Sequence, residues 1–172
     1  MIPQRRIAKI LFATDLSENA EKAFGYAVSM AEAYGARISI LHVVEKLTPN
    51  AEVLLAAYLG YGDIAALRQN SESERIAQIK ARIEQFCSEV SDQVPACRFI
   101  LHDVLVEPGK PAERILHHAE TGGYDAVVMG TRGHRLVREA VLGGTSHNVI
   151  TRSPIPVFVV PMNPSEARSA PA

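Results

Sequence analysis

The chain has 172 residues, a length for one domain around one core, and is 47% hydrophobic and 22% charged. A formal net charge of −1 removes the basic surface that nucleic-acid phosphates call for. No apolar run approaches the roughly 20 residues of a membrane helix, the opening MIPQRRIAKI lacks a signal-peptide core, and Cys87 and Cys97 lack disulfide-framework or metal-site spacing. The expectation is a soluble, reduced, cytoplasmic protein with neither nucleic acid nor membrane as a partner.

In chain order, apolar runs at 7–13 (IAKILFA), 37–44 (RISILHVV), 98–106 (RFILHDVLV), 125–129 (DAVVM) and 156–160 (PVFVV) predict strands. Most lack strict polar alternation, as strands covered on both faces should. The third carries His102 and Asp103, which places it near an edge. Ala20, Ala23, Phe24, Ala27, Val28 and Ala31 repeat at helical spacing, with Ser17 as N-cap and Gly35 as the stop. Residues 46–70 break the rhythm and read as an inserted loop or a short helix. A second stripe (Ile76, Ile79, Ile83, Phe86, Val90) starts near Asn70 or Ser71. Pro111 suits the first turn of a helix ended by Gly122-Gly123. A last helix begins at Gly144 or Thr145 and stops before Ser153-Pro154. The tail 162–172, small and polar, reads as disordered.

Strands alternating with helices predict an α/β domain: an open five-stranded parallel sheet with right-handed crossovers and helices on both faces. Ligands of such sheets gather at the carboxyl ends of the strands, where strand order reverses. After the first strand comes Thr14-Asp15-Leu16-Ser17. The fourth is followed by Gly130-Thr131-Arg132-Gly133, and nine residues later by Gly143-Gly144-Thr145-Ser146. Gly130 and Gly133 permit a tight turn and close backbone approach. Glycines at a helix start leave amide N–H groups outward with the positive end of the helix dipole behind them. Thr145 and Ser146 add hydroxyls, so the pattern suits a phosphate, although single glycine pairs more often only make loops. Neither the G-x-G-x-x-G fingerprint after the first strand nor G-x-x-x-x-G-K-[ST] is present.

GTRGHRLVREAVLGG followed by TSHNVITRSPIPVFVVP resembles the C-terminal signature of the universal stress protein family, whose ATP-binding members carry G-x-x-G, nine residues, then G-[ST]. KILFATDLSENAEKAFGYA, LHVVE and EPGKPAERIL resemble that family as well, so the likeness runs from about Lys9 to Pro161. The resemblance implies a Rossmann-like, flavodoxin-like sheet of order 3-2-1-4-5 spanning 1–161, with a nucleotide across the tips of strands 1 and 4. By it, Asp15, with Ala13 and Thr14, lies by the nucleoside, and Val43 meets adenine through its backbone. Gly130 and Gly133 would lie along ribose and phosphates, and Gly143, Gly144, Thr145 and Ser146 would cradle the phosphate tail. Arg132 lies between the glycine turns, within reach of phosphates. The ligand implied is ATP, or AMP or ADP, with Mg²⁺ as its counterion. One departure is Gly144, where the family's ATP signature has Ser or Thr.

No nucleophile–base–orienter set or metal-ligand spacing emerges, so no catalytic residue is assigned. The apolar fifth strand is an edge in that order, and ATP-binding relatives pair it across a two-fold axis. The expectation is a homodimer through Val157–Val160, read by a further protein partner. Two other readings stay open: a slow ATPase or nucleotide-dependent enzyme on this scaffold, and a nucleotide-free dimeric interaction module.

Overall fold

Valine- and isoleucine-rich runs become the strands of one parallel sheet: β1 (Lys9–Thr14), β2 (Arg37–Val44), β3 (Leu101–Pro108), β4 (Ala126–Gly130) and β5 (Val157–Val160). The computed structural model describes residues 5–45, 49–68, 70–131 and 143–161. The sheet order is β3-β2-β1-β4-β5, and every pairing is parallel. The helices among the described residues are α1 (Glu18–Tyr34), α2 (Pro49–Leu59), α3 (Ile64–Arg68), α4 (Glu72–Gln93), α5 (Cys97–Ile100), α6 (Pro111–Thr121) and α7 (Gly144–Arg152).

The pleat of β1 sorts the core into two layers. Ile10 and Phe12 join Ala23 and Ala27 of α1 with Ile79 and Ile83 of α4. Leu11 and Ala13 face the other way, onto Ile115 and Ala119 of α6 and Val149 of α7. Ile10, Leu11, Ile38 and Val127 are fully buried, each worth about 1.5–3 kcal/mol of transfer free energy. At the opposite end from the strand tips, the Asp125 carboxylate accepts hydrogen bonds from the Ala8 N–H at 2.8 Å and the Lys9 N–H at 3.0 Å, tying β1 to β4.

Local chemistry sets the helix ends. Gly35 takes the left-handed conformation (φ 64°) that closes α1, its residue type avoiding the Cβ clash there. Ser71 and Glu74 form a reciprocal capping box at the start of α4. Pro111 opens α6. The 46–70 stretch supplies two helices, α2 and α3, from its described part.

Two expectations change. Residues 98–100 do not open the third strand: Cys97–Ile100 forms the short α5, and β3 starts at Leu101. Backbone bonds from Cys97 N–H to the Val94 carbonyl and Ile100 N–H to the Ala96 carbonyl wind the turn, while fully buried Cys97 anchors it. The register of β3 on β2 then shifts, from Ile38 opposite Leu101 to Ser39 opposite Asp103, leaving His102 as the extra residue of a bulge. At α1, Ser17 has N-cap backbone angles but no side-chain capping bond. Its hydroxyl donates instead to Asp15 Oδ1 at 2.6 Å.

Candidate functional site

The described residues among those singled out from sequence gather at the carboxyl end of the sheet. Ala13 pairs with Leu41 on one side and Met129 on the other, and Thr14 pairs with His42. Ala13, Val43 and Met129 belong to one buried cluster, on the α6–α7 side, and form an apolar floor beneath the tips. Met129 was not singled out in the sequence; its signal is its place as the last apolar residue before Gly130.

The turn after β1 is built by its own side chains. Asp15 Oδ1 accepts from the Ser17 N–H at 3.1 Å as well as from the Ser17 hydroxyl. Thr14 Oγ1 accepts from the Leu16 N–H at 3.1 Å, and the Thr14 carbonyl lies 2.9 Å from His42 Nδ1. Leu16 sits at φ 65°, a left-handed conformation costing a branched residue about 1–2 kcal/mol. These bonds hold the turn in that strained shape, with Asp15 at its apex.

Across the sheet, the exit of β4 and the start of α7 are locked together. The Thr131 N–H donates to the Val160 carbonyl at 3.0 Å, and the Gly143 N–H donates to the Thr131 carbonyl at 3.1 Å. The buried Ser146 hydroxyl donates to the Gly130 and Thr131 carbonyls at 3.0 and 3.1 Å. Its single proton, and the Gly143 N–H, are therefore used inside the fold rather than offered outward. Gly143 is the N-cap of α7, and no side chain among the described residues caps it. The first-turn amides of Gly144, Thr145 and Ser146 have no acceptor within the helix, which makes this end an anion-binding geometry with a positive dipole behind it. Among the described residues, nothing lies within 4 Å of where a Cβ of Gly144 would stand. Arg132 and Gly133 lie outside the described residues.

Beside the tips, Glu107 of β3 anchors α6. Its carboxylate accepts from Arg114 Nε at 2.8 Å and pairs with His118 Nε2 at 3.0 Å. Burial pulls the Glu107 pKa upward, but the Arg114 and His118 contacts outweigh it and hold the carboxyl below its ordinary value.

The sequence matches the universal stress protein family over residues 6–161. The chain belongs to that family. Among curated universal stress proteins, MJ0577 of Methanocaldococcus jannaschii is 28% identical over 152 residues, covering 88% of this chain and 93% of its own. One from Thermus aquaticus, named for its place 3′ of a QAH/OAS sulfhydrylase region, is 31% identical over 151 residues, covering 88% and 96%. The solved MJ0577 structure superposes with a TM-score of 0.68 at 25% identity, covering 93% of this chain and 99% of that one. An Arabidopsis thaliana member with AMP bound shares the fold at a TM-score of 0.58 and 18% identity, covering 94% and 96%. This universal stress protein thus has the family's α/β sheet. No helix among its described residues is long and apolar enough to cross a membrane.

Proposed function

We propose that this universal stress protein binds an adenine nucleotide, ATP foremost, across the tips of β1 and β4, and acts as a homodimeric regulatory protein. The observation that carries the reading is the N-terminus of α7, with glycine as its N-cap, fastened directly behind the exit of β4. The phosphates sit there, held by the Gly144, Thr145 and Ser146 amides with Gly143 as N-cap and Gly130, Arg132 and Gly133 alongside. The adenine rests over Ala13, Val43 and Met129, and Asp15 and Thr14 face the nucleoside. The AMP bound by the Arabidopsis relative supports an adenine nucleotide as the class. Mg²⁺ accompanies the phosphates as their counterion, and no residue is assigned to catalysis.

The dimer forms through β5. Phe158 is 42% exposed on this edge strand and Tyr26 of α1 47%, their ring centroids 6.0 Å apart, an apolar pair suited to burial against a second copy. A cytoplasmic location fits the reading.

The test is calorimetric titration of ligand-stripped protein with Mg-ATP, ADP and AMP in separate arms. Saturable binding of one nucleotide per chain is the expected result. No heat at millimolar concentration in any arm overturns the proposal.

A further inference from the structure

On the face of the sheet opposite Ala13, Val43 and Met129, a cavity of about 320 Å³ opens between α1, α2 and α4. Its floor is Phe12 and Ile40 of the sheet, Phe24 of α1 and Ile83 of α4, each 5% exposed or less. Half-buried Tyr58 and Phe86 stand at its sides. The Phe24 ring lies 5.3 Å from Phe12, tilted by 52°, and 5.7 Å from Phe86, near edge-on at 61°. Glu21, Arg82 and Glu89, the charged lining residues, are all exposed at the mouth.

Protein interiors pack to crystal density, with few voids larger than a water molecule. A recess of this size falls in the range of small-molecule sites. The floor side chains carry no polar atom to order water, so an apolar guest that displaces water from the base of the recess gains free energy. Burial raises the Tyr58 phenol above its ordinary pKa, against the lowering field of Arg82, in keeping with a half-buried wall. An ion on this floor would be desolvated with no partner, which selects a neutral guest. Phe24 and Phe86, set near edge-to-face with Phe12 tilted beside them, leave faces and edges for a further ring to continue the array.

We propose that this cavity is a second binding site, for a neutral aromatic molecule of about two fused rings whose polar substituent projects toward the charged mouth. The turn of Thr14, Leu16 and Ser17 forms one of its walls, so the site abuts the nucleotide cradle without sharing its floor.

Indole is the probe. The chain contains no tryptophan, so indole emission is read against tyrosine alone. Wild-type protein is titrated beside two variants, Ala20→Leu, which fills the cavity from a buried wall, and Ala57→Phe, which crosses the mouth from an exposed position on α2. The expected result is saturable binding of one indole per chain, with a dissociation constant on the order of 0.1–1 mM, weakened roughly tenfold or more in each folded variant. No saturable binding up to the solubility of indole, or wild-type affinity in the folded variants, overturns the proposal. Should Ala20→Leu fail to fold, Ala57→Phe decides the question alone.

Discussion

The Ser146 hydroxyl donates to the Gly130 carbonyl at 3.0 Å, joining the first turn of α7 to the last residue of β4 across 16 positions of sequence. Ser146 is 3% exposed, so water cannot take over the bond. Ser146→Ala is expected to cost about 1 kcal/mol and to lower Tm by roughly 2–4 °C. Nucleotide affinity should fall with it, because the α7 amides lose their fixed aim. Scanning calorimetry with and without ATP checks both effects.

Gly144 offers the opposite change. A Cβ there meets nothing among the described residues within 4 Å, and Ser would add a hydroxyl beside the first-turn amides of α7. One further hydrogen bond is worth about 0.5–1.5 kcal/mol, so Gly144→Ser should bind ATP about two- to tenfold more tightly. Gly143→Val, which places a branched side chain at the N-cap, should abolish binding. Parallel isothermal titrations of the two variants measure this directly.

Leu16 keeps a left-handed backbone at φ 65°. Leu16→Ala and Leu16→Gly lose the same packing, but only glycine is relieved of the Cβ clash. The Gly variant should therefore be the more stable of the two, by about 1 kcal/mol. Urea unfolding of the pair would expose an error if Ala were the more stable.

The pH response follows from Glu107. Its folded pKa lies below the ordinary 4.5, with the Arg114 and His118 contacts prevailing over burial. A carboxyl depressed on folding stabilises the protein above its unfolded pKa, and that contribution is lost as pH falls through the folded value. Glu107→Gln should consequently lower Tm at pH 7. The gap to wild type should start to close below pH 4.5 and vanish once the folded pKa is passed. Thermal melts across that range read the gap.

Phe158→Lys replaces an exposed ring on the edge strand β5 with a charge. Light scattering at micromolar concentration should give a dimer mass for wild type and a monomer mass for this variant, with unchanged circular dichroism. A wild-type monomer would count against the proposed assembly.

Much of the sheet was legible because its signals are local. The apolar run 37–44 coincides with β2, and Gly35, Ser71 and Pro111 mark helix ends through backbone chemistry that needs no tertiary partner. Arg98–Ile100 misled, because a short stretch with Phe99 and Ile100 as its apolar pair fits a strand and a buried turn equally, and the burial of Cys97 decides between them. The glycine spacing pointed to the start of α7, yet it could not assign donors. That the Gly143 N–H and the Ser146 hydroxyl serve the fold depends on where the carbonyls of Gly130 and Thr131 arrive. The apolar recess beneath α1 was illegible for the same reason: its rings come from β1, α1, α2 and α4, and no periodicity in one segment announces a gap between four.

The carboxylate of Asp125 that holds the Lys9 N–H is 116 residues downstream of it. At about 5–20 residues per second, a ribosome delivers that partner roughly 6–23 s after Lys9 itself. Until then the strand that becomes the centre of the sheet has a bare flank, rich in isoleucine and leucine. Slow translation between residues 45 and 125 would lengthen the time that this flank stays open to pairing with other chains.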